Sequence, residues 1–280
     1  MRSYKKNVKD VGEVEFVEFD SLYDFKNYIM STPNNRAFGS RGTSDDTSSD
    51  MIKFTKTKSF DEAMNLFTNG WTSMSRELVN KLNTNNAPMV NERAMVRTIG
   101  MQGFQPVIPL YLAGVPQNMI GTKFKPMKKK VITIDKDVCY SGYVSSDEIV
   151  EESVKALAIV RKLESQNYRI NLNIVFCPAS GFGVSKKRFA FKIKIKGSNE
   201  RLNVGKMSFP LVHPSMLRRL LFKLEEVYPN MTTSFVGTYG RPMDSIDITK
   251  CYSDEFVLPR FIKTDIDKLK DVSDLYKNKV

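Results

Sequence analysis

Val131-Ile-Thr-Ile-Asp135, then Ser145-Ser-Asp-Glu-Ile-Val-Glu-Glu-Ser-Val-Lys-Ala156 running on to Gln166, then Arg169-Ile-Asn-Leu-Asn-Ile-Val-Phe-Cys177, read in order as strand, helix and strand. The first and last pieces are short apolar runs rich in β-branched residues, which suit a pleated buried surface. Between them, Ser145 and Glu148 stand at the spacing of a capping box, and Asp147 and Glu148 suit the positive helix start. Ile149, Ala156, Val160 and Leu163 recur on one stripe flanked by Val150 and Leu157, opposite Glu151, Lys155, Lys162 and Gln166. That pattern predicts a helix with one broad face against a sheet, ending near Asn167. A strand, a helix of about twenty residues and a strand imply a right-handed parallel crossover.

Downstream, Pro178-Ala-Ser-Gly-Phe-Gly183 reads as a loop, and residues 188–196 alternate strictly. Phe189, Phe191, Ile193 and Ile195 point one way. Arg188, Lys192, Lys194 and Lys196 point the other. The Gly-bearing loop predicts a hairpin with 169–177, its outer strand antiparallel and at the sheet edge. His213-Pro214 opens a predicted helix with Leu217, Leu220, Leu221, Leu224 and Val227 as its buried stripe. Strands near 232–238 and 255–261 complete the sheet, and 263–280 reads as a charged helix or tail.

Upstream, residues 1–16 read as a loose arm or edge strand. Residues 20–30 read as a short amphipathic helix capped by Asp20 or Ser21. The Ser, Asn, Asp and Gly content of 32–50 predicts a flexible surface loop. Ser59 with Glu62 predicts a capped helix stopped at Gly70, with Trp71 packed at its end and a second helix over 73–85. Residues 88–126 are rich in Pro, Gly and Met. They read as an irregular connection packed on the core, with a short helix or strand near 107–112.

The expected division is therefore 1–58 (helix and flexible loop), 59–127 (helical and irregular, packed on the core), 128–262 (α/β core) and 263–280 (tail or helix). The predicted fold is α/β, with an open, mostly parallel sheet, an antiparallel edge hairpin and flanking helices.

The 280 residues are 41% hydrophobic and 26% charged, which suits one large domain with an appendage. No run approaches the roughly 18–20 apolar residues of a membrane span, and no apolar stretch follows the basic start as a secretory signal requires. Cys139, Cys177 and Cys251 lie far apart with no CxxC pair, so reduced thiols are expected, and His213 adds no zinc spacing to them. Gly181-Phe-Gly183 sits in a hairpin, not a strand-to-helix turn, so it is no dinucleotide fingerprint. Phosphate-loop, His-Glu-x-x-His and Gly-x-Ser-x-Gly motifs are missing from the sequence. His213 reads as a structural residue at a helix start, and Glu151/Glu152 and Glu225/Glu226 as solvated surface pairs.

The order of strand, capped helix, strand and antiparallel strand resembles the start of von Willebrand factor A-like domains. The stretches Ser59-Phe-Asp-Glu-Ala63 with Gly70-Trp71, Tyr111-Leu-Ala-Gly-Val-Pro-Gln-Asn-Met119 and Val212-His-Pro-Ser-Met-Leu-Arg-Arg219 resemble an uncharacterised family of bacteriophage and mobile-element proteins, over roughly residues 55–230. That family resemblance brings no activity. It implies the cytoplasm of a bacterial host or a virion. The A-type resemblance implies a metal held through Asp-x-Ser-x-Ser at the end of the first core strand. Asp135 matches the first ligand, Asp137 stands where the first Ser belongs and Cys139 where the second does, with Ser141 beyond the spacing. No other cofactor is expected beyond a divalent cation at Asp135 and Asp137.

The net charge of +12 favours polyanion partners. Two basic stretches stand out. One holds Lys123, Lys125, Lys128, Lys129 and Lys130; the other holds Lys186, Lys187, Arg188, Lys192, Lys194, Lys196, Arg201 and Lys206 against Glu200. A row of cations on one strand face suits phosphate tracking, and lysines also guard exposed sheet edges against pairing. The sequence thus leads to a non-enzymatic binding protein that contacts nucleic acid through residues 123–130 and 186–206. Two alternatives stand beside it: a protein-interaction or virion-assembly module, and a metal-dependent hydrolase or nuclease using Asp135 and Asp137.

Overall fold

The computed structural model describes residues 1–34, 43–72, 78–80, 82, 93–126, 130–166, 168–180, 187–229, 231 and 242–263. Seven strands form one mixed sheet. Its order is β1 (Arg2–Val8), β2 (Gly12–Phe19), β9 (Lys187–Lys196), β7 (Tyr168–Phe176), β6 (Lys130–Asp137) and β10 (Phe256–Leu258), with the two-residue β8 (Ala179–Ser180) beside β9. β2 pairs with β9, β7 with β6 and β6 with β10 in parallel. β1 with β2 and β7 with β9 are antiparallel. The open, mostly parallel sheet is as expected, but the antiparallel hairpin at its edge is β1–β2. β9 lies inside, flanked by β7 and β2. Residues 1–16 therefore supply an edge strand and an inner strand, and the sheet does not begin at 128. The strand expected near 232–238 and the tail over 264–280 lie outside the described residues.

The central helix α5 (Ser146–Ser165) carries the full capping box, Ser145 accepting from the Glu148 amide and Glu148 from the Ser145 amide. Ile149, Ala156, Leu157, Val160 and Leu163 are buried, and so are Val154, Ala158 and Ile159. Burial reaches beyond one stripe because α5 has a second neighbour: the Ser153 hydroxyl donates to the Leu211 carbonyl at 2.8 Å. Each such aliphatic side chain contributes roughly 1.5–3 kcal/mol.

That neighbour is the segment 204–227, predicted as a helix from His213 with one buried stripe. It runs α6 (Val204–Met207), a wide π-type turn (Ser208–Val212), a break at His213, a second π-type turn (Met216–Leu221) and α7 (Phe222–Val227). Almost all of it is buried, charged residues included. A helix buried all round sits within a protein, and polar groups there must find partners.

The N-terminal half packs on this layer. α1 (Leu22–Ser31) is capped by Ser21. α2 (Ser49–Thr55) starts inside the segment expected to be a flexible loop. Just before it, Ser44 is fully buried, donating from its amide and its hydroxyl to Glu226; residues 35–42 lie outside the described residues. α3 (Phe60–Asn69) is capped by Ser59 and stops at Gly70, as read. Of the helix expected over 73–85, only 78–80 and 82 are described; Leu78 and Leu82 are buried. A short α8 (Ser245–Cys251) precedes β10.

Residues 93–126 depart most from expectation. They form a separate three-stranded antiparallel sheet of β3 (Arg93–Gly100), β5 (Met119–Pro126) and β4 (Gln105–Pro106), with the one-turn helix α4 (Ile108–Leu112) between β4 and β5. Among the described side chains, those of residues 96–123, neither apolar cluster draws a member from it.

Candidate functional site

Asp135 and Asp137 occupy the end of β6 and are 0% and 1% exposed. Asp135 accepts from the Asn173 amide at 2.7 Å and faces Lys192 Nζ at 3.1 Å. Lys192 also pairs with Glu255 and lies over the Tyr252 ring. Burial pushes the Asp135 carboxyl up to about 8, and a proton shared with Glu255 adds to it, outweighing the pull of Lys192. Glu255, against the upward push of its own burial, is lowered by Asp135 and Lys192. Asp137 accepts from the Cys139 amide at 2.9 Å and faces Arg260 Nε at 2.9 Å.

Both carboxylates are thus met by cations of the chain itself. Cys139 is a buried thiol held well above its ordinary pKa by that burial. Among the described residues, no three His, Cys, Asp or Glu side chains converge. This donor set does not fit a divalent cation, which favours several oxygen ligands free of competing positive charge. The cleft beside Lys192 holds about 120 Å³, well under the roughly 300–1,000 Å³ of ordinary ligand pockets. The three cysteines are buried and form no disulfide with one another.

The basic face read from β9 does not exist as a row. Lys192 is held by Asp135 and Glu255. Lys196 is 1% exposed, pairs with Glu164 at 2.6 Å and donates to the Ile170 carbonyl at 3.0 Å. The alternation holds from 188 to 194, where Lys192 is drawn into ion pairs and Lys194 stays exposed; a bulge between 194 and 196 then places Lys196 beside Leu172, on the other face. Lys194, Lys123, Lys130 and Arg201 are exposed, and Arg188 is half-buried. The side chains of Lys125, Lys128, Lys129, Lys186 and Lys187 lie outside the described residues.

The stretch Val212–Arg219 forms a buried polar hub. The His213 ring lies 4.5 Å from Trp71 and 4.9 Å from Phe209, and its Nδ1 accepts from the Ser215 amide. Burial lowers its pKa to about 4, which keeps it neutral near pH 7. Arg219 donates to the Thr57 hydroxyl and carbonyl and to the Ser44 and Asp46 carbonyls. Arg218 stacks 3.8 Å from the Phe54 ring and donates to the Phe54 and Val144 carbonyls. Glu152, Glu225 and Glu226 are buried, contrary to the expectation of solvated pairs. These contacts tie distant segments of the chain together.

The arm of residues 93–126 is the opposite case. No residue between 96 and 123 is buried. Met101, Phe104, Ile108, Tyr111 and Leu112 are 63–79% exposed. Its backbone is nevertheless closely fixed: Phe104 donates to the Ile120 carbonyl and Val107 to the Asn118 carbonyl. A Cβ on Gly103 would stand 2.1 Å from the Ile120 oxygen, and one on Gly121 2.8 Å from the Gln102 oxygen, so both positions need glycine. From 98 to 122 the arm has no charged residue, the longest such run in the chain; Arg97 and Lys123 bracket it. That run was the available signal. Its Met and Pro content reads as core filling, and the missing charges are what sets it apart from the rest of the chain.

A family model described as Domain of unknown function (DUF7192) matches residues 5–279. No curated protein and no solved structure matches the chain.

Proposed function

The chain belongs to the family described as Domain of unknown function (DUF7192), and we propose that it is a non-enzymatic protein-interaction module that docks through the arm of residues 98–122. One observation carries this reading: an ordered arm exposes contiguous large apolar side chains and no charge, while charged residues are buried elsewhere. Exposed apolar patches of this kind mark interaction sites in soluble proteins. Lys192 and Arg260 already answer Asp135 and Asp137, which favours binding over metal-dependent hydrolysis at that place. Among the described residues, no helix is long and apolar enough to cross a membrane.

The test compares wild type with Ile108→Asp combined with Leu112→Asp. Wild type retains a protein partner through nuclease treatment and a high-salt wash. The double variant loses it at an unchanged melting temperature. Equal retention by both forms sinks the reading.

Contact with nucleic acid stays as a second reading, favoured by the exposed Lys130, Lys194 and Arg201. Lys192 and Lys196 drop out of it. Salt-dependent retention on nucleic acid, weakened in Lys130→Glu with Lys194→Glu, supports it. Equal binding by wild type and variant counts against it. The likeness to A-type domains rests on the order β6, α5, β7 and antiparallel β9.

A further inference from the structure

We propose that the occupant of the arm is a second copy of this chain, the two arms packing against each other about a two-fold axis. The inference rests on the docking role proposed above and names its partner.

Three observations select that occupant. The first is charge. Two chains of net charge +12 repel, so self-association needs a contact free of charge, and 98–122 is the longest such run. The next longest, 170–185, begins in the buried strand β7. The second is size. A standard interface takes about 20–30 residues a side, and the arm offers 25. The third is the lack of internal cover. An ordered antiparallel sheet without a single buried side chain between 96 and 123 is half of a core, and obligate dimer interfaces resemble a domain core cut in half. A second identical half supplies the rest isologously.

The polar groups of the arm agree. Gln102, Gln105, Gln117 and Asn118 lie among the apolar side chains. In a side-by-side antiparallel arrangement, Arg97 and Lys123 at the base of one arm meet these carboxamides at the tip of the other, where a carboxamide oxygen accepts from a cation without repulsion. A bilayer suits the arm less well. The carboxamides of Gln102, Gln105 and Gln117 and the backbone edges of β3 and β4 would enter hydrocarbon, where no water can pair them.

Sedimentation velocity of the full chain at micromolar concentration is the test. Wild type is expected at twice the chain mass, and Ile108→Asp with Leu112→Asp at the mass of one chain, a rise of about a hundredfold or more in dimer dissociation constant. Amide exchange in 98–122 slows with protein concentration in wild type and not in the variant. A wild type that sediments as one chain overturns the proposal. It does so in favour of a bilayer if the monomer is retained on phosphatidylcholine–phosphatidylserine vesicles. It does so in favour of a different protein if a partner is held and lost with the double substitution, in which case the docking role survives. A variant that remains dimeric overturns the arm as the contact.

Discussion

The sheet core and the arm invert the usual partition of side chains. The core takes charge inside: Lys136, Lys196, Arg218 and Arg219 are at most 2% exposed, with Asp135, Asp137 and Glu226 among them. The arm leaves its apolar groups outside. Each half of the inversion has a different explanation. The buried cations are satisfied within the chain, by carboxylates or by backbone carbonyls, so they stabilise packing between segments far apart in sequence. Lys136, for example, donates to the Pro259 and Arg260 carbonyls and holds the chain after β10 against the end of β6. The arm has no such internal partner surface. A net charge of +12 is therefore a poor guide to the binding face, because several of the cations never reach it.

The largest effect that separates the two regions is expected at Arg219. Arg219→Ala strips bonds from Thr57, Ser44 and Asp46 together and leaves their acceptors buried, at a cost of about 3–5 kcal/mol in denaturant unfolding. A loss under about 1 kcal/mol would mean that water replaces the guanidinium and that the hub does not tie 44–57 to the helical layer. Next comes Lys192→Met. It removes the cation shared by Asp135 and Glu255, leaves both without that partner and is expected to destabilise by about 1–3 kcal/mol. A phosphate-tracking lysine on an open face would change stability by no more than about 0.5 kcal/mol, so the same melt decides between the two descriptions of β9.

The β9 case shows where the sequence was legible and where it was not. Local signals held. The Ser21, Ser59 and Ser145 caps, the Gly70 stop and the strands around α5 all follow from nearest-neighbour chemistry. The alternation is real from 188 to 194 and is broken by a bulge before Lys196. What alternation cannot report is whether the cations meet water or carboxylates brought from Asp135, Glu164 and Glu255, distant in sequence. The same limit applies to Glu226, read as solvated and found inside with Arg218 and Arg219. Sheet order was hidden for a related reason: β2 pairs with β9 across more than 160 residues, and no local pattern encodes that contact. Of the two carboxylates proposed for a metal, their place at the end of β6 was legible, and the Lys192 and Arg260 that answer them were not.

A smaller effect tests the charge state inside the core. Asp135 keeps its proton up to about pH 8 when folded and releases it near 3.8 when unfolded. Between those values the folded state binds more protons, so this group makes stability fall as pH rises, with a limiting slope of about 1.4 kcal/mol per pH unit. Below pH 7 Lys136, lowered to about 7 by burial, is charged in both states and adds nothing. His213, lowered to about 4, works in the opposite direction up to its ordinary value near 6.5. The difference between wild type and Asp135→Asn, measured by melts from pH 4.5 to 7, isolates the Asp135 contribution. The variant should show the more positive slope. Parallel profiles would show that Lys192 keeps Asp135 ionised throughout.

The smallest effect belongs to the arm and is the most telling of the four. Leu112 is 79% exposed and touches neither apolar cluster, so Leu112→Ser is expected to shift the unfolding free energy of the isolated chain by less than about 0.5 kcal/mol. A buried leucine of the core, such as Leu157, would lose roughly 2–5 kcal/mol on truncation to Ala. The melt has to be run at protein concentrations low enough to dissociate any assembly, because a covered Leu112 gains stability by mass action. If the arm has a protein cover, the same substitution becomes destabilising as concentration or partner is raised, and the gap between wild type and variant widens with it. A gap already large in the dilute chain would mean that Leu112 packs internally. That would remove the contrast between core and arm on which the docking role depends.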